Sequence, residues 1–334
     1  MGILGAGAMG ANHAHTLASW VPAARVGAVY DFDGARADQV AAGTGATALG
    51  SADELIGSAE VDAIVIASPD PLHAEQVLSC VAAGKPVLCE KPLAADESGS
   101  QQILDADDRF AAEHGRRLVQ VGFMRRYDPA FVALRAHVAA GAIGTPRVVH
   151  CVHRNAVAHP AQTSDMNVTG SMVHELDIVP WLLDDPIAAI TVRSPRAESE
   201  GVLLDPLVAL IELAGGVLCT VEVFVNARYG YDVHCEVVGD HGTARLTPPA
   251  GIAVREPGSG VGVSGVQVTG DFVGRFADAY RIELASWVQA ARRGVVDGPG
   301  ARDGHLANVV AAAGVESLHT GARVEVAPFS LAHQ

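Results

Sequence analysis

His174 lies in an apolar, helix-like run of the sequence, VTGSMVHELDIVPWLL, which extends from Val168 to Leu183. An imidazole changes charge near neutral pH, so a histidine at this position can serve as a general acid or base. A histidine on an apolar helix face is more often a buried structural residue, and the chain holds 14 histidines with the same chemistry. The local pattern therefore leaves a catalytic and a structural interpretation open.

A zinc site is a third interpretation of this run, because VHELD superficially resembles the HExxH motif of zinc hydrolases. The second histidine is absent at the required spacing, and no Cys or His pair is nearby in the sequence. We therefore predict no metal site. His13 and His15, on a helix predicted near the start of the chain, are interpreted as surface or packing residues.

Lys91 follows an apolar run in the segment PVLCEKPLA, where a buried strand is expected to end. Ligands bind at the carboxyl ends of the strands in open parallel sheets. A lysine at such a position can donate a hydrogen bond to a substrate oxygen. An exposed lysine at a strand end is the commoner case in general, but the location of Lys91 in a nucleotide-binding pattern favours a functional role.

The segment GAGAMG, from Gly5 to Gly10, matches the dinucleotide-binding pattern GxGxxG. In that pattern the first glycine permits a tight turn, the second lets a pyrophosphate approach the backbone, and the third allows close packing of the helix. The segment lies between a predicted strand and a predicted helix, and a second strand ends at Asp31, where an acidic side chain would bind the adenosine ribose. A carboxylate would repel a 2′-phosphate, so the pattern predicts NAD rather than NADP as the cofactor.

The elements that must position these residues change in type along the chain. The first third alternates short apolar runs with amphipathic stretches, as expected of a parallel sheet wrapped by helices. From about His150 the runs are longer and often alternate with polar residues, which predicts a mostly antiparallel sheet. We therefore predict an α/β fold in which a mostly antiparallel sheet follows an N-terminal Rossmann-like dinucleotide-binding part. A late helix around 302–321 is a candidate to pack back near the Rossmann domain.

Composition limits the partners of the chain. Its 334 residues carry a formal charge of −15, from 38 acidic and 23 basic side chains, so nucleic acid is not an expected partner. The sequence has no uninterrupted apolar stretch of about 18 residues and no pattern of an export signal, which argues against a membrane partner. Five widely spaced cysteines in mostly apolar contexts are typical of buried reduced thiols in a cytoplasmic protein.

Motifs distributed over the whole chain carry a more specific resemblance. They are GAGAMG, SPDPLHAEQVLSCVAAGKPVLCEKPLA, VGFMRRYDPAF, GSMVHELD and the late GARDGHLANVVAAAGVESLHTGARVEV. Together they resemble the Gfo/Idh/MocA family of oxidoreductases, and the segments FMRRYDP, HRN and YGYD resemble its inositol 2-dehydrogenase branch. The resemblance implies NAD-dependent hydride transfer at a ring carbon that bears a hydroxyl. It also implies an N-terminal Rossmann NAD-binding domain at 1–120 and a C-terminal α/β domain at 121–334 with a large, mostly antiparallel open sheet. This second domain is expected to bind the substrate and to mediate oligomerisation, often into a homotetramer.

The resemblance, together with the GxGxxG pattern, assigns individual residues. It implies that Lys91 polarises and orients the reacting hydroxyl and that His174 is the general base for alcohol oxidation. The cofactor-binding candidates are Gly5, Gly7, Ala8, Met9, Gly10, Asp31, Ser68, Pro69, His73, Glu90 and Lys91. The substrate-binding candidates are Arg125, His153, Asn155, Gly170, Ser171, His174 and Tyr231, with Tyr229 as the alternative to Tyr231. Because a cyclitol has hydroxyls all round its ring, several fixed donors and acceptors suit its recognition.

Gly170 departs from the family pattern, which has an Asp four residues before the histidine so that both side chains project from one helix face. The nearby Ser171 is neutral, Glu175 is expected to point elsewhere on the helix, and Asp165 precedes the predicted turn. Three explanations are open: a different substrate, such as a modified sugar or aminocyclitol; the same reaction with a weaker base; or an NAD-binding protein whose catalysis has decayed. The leading prediction is an NAD-dependent dehydrogenase that oxidises a secondary ring hydroxyl of myo-inositol or a related cyclitol or sugar.

Overall fold

The structure, a computed structural model, describes residues 1–195, 203–246 and 269–327. Its contacts divide the chain into two compact units. The first unit comprises Met1–Asp128 and Asp278–Ala312, and the second comprises Pro129–Ala277 and 313–327. None of the helices in the described ranges is both long and apolar enough to cross a membrane.

Strands and helices alternate in the first part of the chain, and strands predominate later. The strands are β1 (Gly2–Leu4), β2 (Ala28–Tyr30), β3 (Thr47–Ala48), β4 (Ile64–Ile66), β5 (Val87–Glu90), β6 (Val119–Gly122), β7 (Pro146–Arg154), β8 (Ile187–Arg193), β9 (Leu207–Leu213), β10 (Leu218–Phe224), β11 (Asp232–Gly239), β12 (Thr243–Arg245) and β13 (Val324–Glu325). The helices are α1 (Ala8–Trp20), α2 (Gly34–Thr44), α3 (Ala52–Gly57), α4 (His73–Ala82), α5 (Glu97–His114), α6 (Pro129–Ala139), α7 (Ser164–Met166), α8 (Val173–Leu183), α9 (Phe272–Arg275), α10 (Ala277–Arg293) and α11 (Ala301–Thr320).

The first unit contains a parallel six-stranded sheet in the order β3-β2-β1-β4-β5-β6. Its strands are short apolar runs, and those of β4 and β5 are buried along their whole length because helices cover both faces of such a sheet. The strand order reverses between β1 and β4, which is where nucleotides bind in doubly wound folds. The predicted Rossmann topology is therefore confirmed.

Helix α10 completes the core of the first unit, although it comes from the second half of the chain. Leu284, Trp287 and Val288 of this helix are buried in one apolar cluster with Ile3 and Val29 of the sheet. The first unit therefore differs from the predicted domain at 1–120, because it continues to Asp128 and regains Asp278–Ala312. Short-range sequence patterns do not reveal which distant helix covers a sheet.

Helix α11, which corresponds to the predicted late helix at 302–321, contributes to both units. In the first unit, Asn308 donates to the carbonyl oxygen of Ala94 at 2.7 Å. In the second unit, Ser317 accepts a hydrogen bond from the N–H of Val192 at 2.9 Å. Each unit thus holds its own part of the helix with a buried polar contact.

The second unit is built on a seven-stranded sheet in the order β12-β11-β7-β10-β9-β8-β13. The pair β7 and β10 is parallel and the other neighbours are antiparallel, which confirms the predicted mostly antiparallel sheet. Burial alternates along β9 and β10, so one face of the sheet is covered and the other is partly exposed. Helix α8 packs against β7 and thereby carries the run around His174 onto the sheet.

Candidate active site

The glycine-rich segment forms the turn between β1 and α1. Gly5 has φ +90°, and a Cβ on Gly10 would overlap the carbonyl oxygen of Gly5, so both positions require glycine. A Cβ on Gly7 would meet no atom of the described residues within 4 Å, which leaves open space in front of the helix. The backbone amides of Ala8 and Met9 lie in the first turn of α1, where N–H groups lack intrahelical acceptors and the helix dipole is positive. The segment therefore fits the pyrophosphate of a dinucleotide.

Asp31 follows β2 and is held beside this segment. Its Oδ2 accepts a hydrogen bond from the N–H of Ala6 at 2.6 Å, and its Oδ1 accepts one from the N–H of Asp33 at 2.8 Å. Each carboxylate oxygen has a further lone pair, so both can also accept from a ribose hydroxyl. The two backbone bonds fix the orientation of the carboxylate beside the glycine-rich segment.

A cavity in the first unit has Gly5 and Asp31 among its lining residues. Its lining includes the acidic residues Asp31, Asp53 and Glu75, and no Lys, Arg or His is found among the described residues that line it. The apolar side chain of Ile56 also contributes to the wall. The negative lining suits the hydroxyls of an unmodified adenosine ribose and opposes a 2′-phosphate.

The segment after β4 contributes Ser68 and Pro69 to the wall of the same cavity. His73, the third candidate from this segment, is buried and does not belong to that wall. Its Nδ1 lies 2.7 Å from the carbonyl oxygen of Pro92, and its Nε2 lies 2.9 Å from the carbonyl oxygen of Ser68. His73 therefore ties together the two segments that follow β4 and β5.

Glu90, the last residue of β5, forms a buried hydrogen bond with His13 of α1. Nε2 of His13 donates to Oε1 of Glu90 at 2.7 Å, and Oε2 of Glu90 accepts from the N–H of Lys91 at 3.2 Å. The interpretation of His13 as a surface or packing residue missed this bond, whereas His15 is exposed. The sequence held one signal for this bond: His13 lies one turn after Gly10, on the helix face that packs against the sheet.

Lys91 and Arg125 both follow strands of the parallel sheet at its carboxyl edge. Lys91 comes directly after β5 and is half-buried, and Arg125 lies in a 3₁₀ turn, Met124–Tyr127, after the neighbouring strand β6. Arg125 is buried despite its charge. Because the edge beyond the carboxyl ends of the strands is the ligand-binding edge, the fold brings both cations to the place where chemistry is expected.

In the second unit, His174 lies in the first turn of α8 and is buried. The segment before it, Asn167–Met172, is π-helical. Single π-helical turns inside helices occur frequently at functional sites, because they change the direction of side chains that a regular helix would fix. The position of His174 at the junction of the two helix types supports its functional interpretation.

His153 of β7 brings a second imidazole and a carboxylate into the neighbourhood of His174. The ring centroids of His153 and His174 are 5.9 Å apart. Nδ1 of His153 lies 3.2 Å from Oε2 of Glu175, and both side chains are almost completely buried. Glu175, which the sequence predicts to point elsewhere on the helix than the Asp of the family pattern, directs its carboxylate to His153 because α8 packs on β7.

The two tyrosine candidates differ clearly in their surroundings. Tyr231 is 5% exposed, and its ring lies edge-on to that of His153 with centroids 5.8 Å apart. Tyr229 is 51% exposed, and its hydroxyl donates to Asp232 at 2.6 Å and accepts from Arg154 at 3.0 Å. The geometry therefore favours Tyr231 as the member of the site.

Asn155, the residue after β7, offers an oxygen to a ligand. Its backbone N–H donates to the carbonyl oxygen of Phe224 at 2.9 Å, which fixes the residue. Its side-chain Oδ1 is buried and has no hydrogen-bond partner in the described part of the chain. A buried oxygen without a partner is costly in an unliganded protein, so such an atom is a candidate acceptor for a ligand hydroxyl.

Gly170 and Ser171 lie in the π-helical segment before His174. Ser171 is buried, whereas Gly170 is half-buried. A Cβ on Gly170 would meet no atom of the described residues within 4 Å. The backbone at this position therefore has room for the Asp of the family pattern.

Comparisons with known proteins agree with this architecture. Residues 1–123 match the NAD-binding Rossmann-fold domain of the Gfo/Idh/MocA oxidoreductase family, and residues 135–326 match the C-terminal alpha/beta domain of the same family. The chain belongs to this family. Its first unit is accordingly the NAD-binding domain, and the fit of the glycine-rich segment and Asp31 to a dinucleotide agrees with that assignment.

Several members of the family are similar to the chain over nearly its whole length. Inositol 2-dehydrogenase 1 of Saccharopolyspora erythraea is 48% identical over 98% of this chain and 96% of its own length. The inositol 2-dehydrogenase of Klebsiella pneumoniae is 41% identical over 98% of this chain and 96% of its own length. Among solved structures, the myo-inositol dehydrogenase of Lactobacillus casei in complex with NAD(H) and myo-inositol has a TM-score of 0.91 at 30% identity, with 98% of this chain and 97% of that chain covered.

Proposed function

We propose that this chain oxidises a secondary ring hydroxyl of myo-inositol or a closely related cyclitol to the ketone, with NAD as the hydride acceptor. The observation that carries the proposal is the buried cluster of His153, His174, Glu175 and Tyr231 in a chain whose relatives are named inositol 2-dehydrogenases. A cluster of this kind provides several fixed hydrogen-bonding groups, as a ring with many hydroxyls requires.

We assign to His174 the role of accepting the proton of the reacting hydroxyl. The imidazole accepts that proton during oxidation and returns it in the reverse direction, which is a common role of histidine in general acid–base catalysis. Lys91 donates a hydrogen bond to the oxygen on which negative charge develops, so it stabilises the alkoxide more than the alcohol. The glycine-rich segment and Asp31 would hold NAD, which would supply the hydride acceptor.

We assign recognition of the other ring hydroxyls to further polar side chains. Asn155 offers its buried Oδ1 as an acceptor, and the hydroxyl of Ser171 can both donate and accept. Arg125, His153 and Tyr231 complete the set by resemblance to the inositol branch. Selectivity follows because a ligand that lacks one of the paired hydroxyls leaves a buried polar group unsatisfied.

The substrate itself is tested by initial rates of NAD reduction with myo-, scyllo- and chiro-inositol, glucose and aminocyclitols, for the wild type and Gly170→Asp. Good turnover of an inositol by the wild type supports the proposal and shows that a carboxylate at this position is dispensable. Turnover of inositol by Gly170→Asp alone would assign Gly170 to a change of substrate or a loss of catalysis. Absence of NAD binding in calorimetry would refute the proposal.

A second candidate function is oxidation or reduction of a modified sugar or aminocyclitol. The observation that favours it is the open space at Gly170, which can accommodate a substituent on the substrate. In the same panel, inert plain inositols together with turnover of amino or deoxy sugars would favour this candidate. Tight NAD binding without turnover of any polyol or sugar would instead indicate a cofactor-binding protein.

A homotetramer and a cytoplasmic location are also proposed. Val208, Leu210 and Leu218 are 45%, 39% and 42% exposed on β9 and β10, and exposed apolar groups on a sheet face are typical of contacts between subunits. The five separated cysteines support a reducing compartment. Light scattering coupled to size-exclusion chromatography tests the assembly, and we expect Leu210→Lys to weaken it. Cell fractionation tests the location.

A further inference from the structure

The hydrogen bond between His13 and Glu90 joins the phosphate-binding helix to the strand that carries Lys91. His13 is fully buried on α1, three residues after the last glycine of the GxGxxG segment. Its Nε2 lies 2.7 Å from Oε1 of Glu90, and its Nδ1 has no hydrogen-bond partner in the described ranges. The imidazole therefore directs its polar interaction to Glu90.

The other oxygen of Glu90 holds the backbone of the next residue. Oε2 accepts the N–H of Lys91 at 3.2 Å. Burial raises the pKa of Glu90, but the hydrogen bond from His13 and the positive charge of Lys91 outweigh that effect and leave the pKa below its ordinary value. The carboxylate is thus ionised at neutral pH, and both of its oxygens are engaged.

Gly122 leaves the space that this carboxylate occupies. It is the register partner of Glu90 on β6, and a Cβ there would lie 3.3 Å from both the carboxyl carbon and Oε2 of Glu90. That distance is tighter than ordinary van der Waals contact, so a side chain at 122 would displace the carboxylate by a few tenths of an ångström. Glu90 is therefore constrained by α1 on one side and by β6 on the other.

We propose that His13 is a positioning residue for Lys91: by holding Oε1 of Glu90, it keeps Oε2 on the N–H of Lys91 and so fixes where the lysine side chain leaves the end of β5. The proposal rests on the proposed function, in which Lys91 stabilises the developing alkoxide. It also links the two sites of the NAD-binding domain, since α1 carries the phosphate-binding turn at its start and His13 further along.

The test compares His13→Gln with His13→Asn, because their side-chain amides mimic different nitrogens of the imidazole. His13→Gln places a nitrogen near the position of Nε2 and retains the donor to Glu90, whereas His13→Asn places it near Nδ1 and does not. We expect His13→Asn to lower kcat by about 10- to 100-fold with the KM for the inositol within about threefold, because a misplaced catalytic group impairs the reaction more than binding. His13→Gln should recover most of the loss, and His15→Asn, at an exposed position of the same helix, should match the wild type.

Hydrogen–deuterium exchange at the Lys91 amide provides a readout that needs neither substrate nor turnover. Exchange should accelerate in His13→Asn and in Gly122→Ala and stay near the wild-type rate in His13→Gln. Equal impairment of His13→Gln and His13→Asn, or unchanged exchange and kcat in His13→Asn, would overturn the proposal. If the wild type oxidises no polyol or sugar, the proposed function fails, and the exchange data still decide whether His13 positions Lys91.

Discussion

At the scale of single residues, the chemistry of this chain depends on a few carboxylates with different tasks. Asp31 lines the cavity beside the glycine-rich segment, Glu90 accepts the backbone N–H of Lys91, and Glu175 pairs with His153. All three are largely buried, and each is fixed by at least one N–H group. A buried carboxylate loses its hydration, and hydrogen bonds from N–H groups must offset that loss. Each of these three carboxylates therefore depends on the partner that holds it.

Asp31→Asn should relax the preference for NAD. The change removes the negative charge that faces the ribose while it keeps the shape of the side chain, so a 2′-phosphate meets less repulsion. We expect the ratio of kcat/KM for NADP to that for NAD to rise by about tenfold or more. Asp33→Asn is the matched control, because Asp33 caps α2 and is not part of the cavity wall. An unchanged ratio in Asp31→Asn would assign the preference to other residues.

Glu175→Gln should destabilise the second unit. The substitution removes the charge that the buried His153 faces, and loss of one partner of a buried polar pair costs about 1–3 kcal/mol. We expect the Tm to fall by roughly 2–6 °C. Glu212→Gln is the control, because Glu212 pairs with Arg323 near the surface, where an ion pair contributes about 0–1 kcal/mol. Equal Tm values for the two variants would show that the buried pair contributes no more than the surface pair.

At the scale of elements, the turn between β1 and α1 separates two requirements for glycine. Gly10 is required by packing of the protein against itself, whereas the space beside Gly7 is open and suits an approaching ligand. The π-helical segment Asn167–Met172 is a comparable local irregularity, since it ends directly before the first turn of α8, which carries His174. In both places the candidate functional residues lie at the start of a helix rather than in its middle.

Gly7→Ala and Gly10→Ala should therefore have different effects. Gly7→Ala should leave the Tm of the protein without NAD within about 2 °C of the wild type but weaken NAD binding, because its methyl group occupies the space in front of the helix. Gly10→Ala should lower the Tm itself, because its methyl group overlaps the carbonyl oxygen of Gly5. Thermal unfolding and calorimetric titration with NAD measure the two effects, and a lower Tm in Gly7→Ala alone would contradict the assignment.

The sequence was sufficient for elements with a local signal and insufficient for contacts between distant elements. GAGAMG and the strand ending before Asp31 predicted the turn and the position of Asp31 at the end of the second strand, because each signal lies within about 30 residues. The bond from His13 to Glu90, the orientation of Glu175 and the return of α10 to the first sheet join residues that are far apart in the chain or depend on how a helix packs. Periodicity shows which face of a helix is buried, but it does not identify the surface that covers that face.

At the scale of the whole molecule, the chain forms two units, each organised around its own sheet. The five cysteines are distributed over both sheets and their helices, and all are buried. Burial raises the pKa of Cys80 to about 12 and raises that of Cys89 well above its ordinary value. The predicted burial of the thiols is thus confirmed, and their reactivity reports on opening of the native structure.

The native protein should therefore react slowly with a thiol reagent such as dithionitrobenzoate. A buried thiol with a raised pKa forms little thiolate and is inaccessible, so labelling requires local or global opening. We expect less than one equivalent of fast-reacting thiol in native protein and five equivalents in denaturant. Two or more fast-reacting thiols in the native state would show that one of the units opens readily.

The contribution of α10 to the first core affects the order in which the molecule can fold during its synthesis. Residues up to Asp128 leave the ribosome long before Leu284 and Trp287, which complete the apolar cluster around β1 and β2. At typical elongation rates this interval is on the order of 10 to 30 s. During that interval the sheet that binds NAD lacks part of its cover, so the nascent chain exposes an apolar surface that a chaperone can recognise.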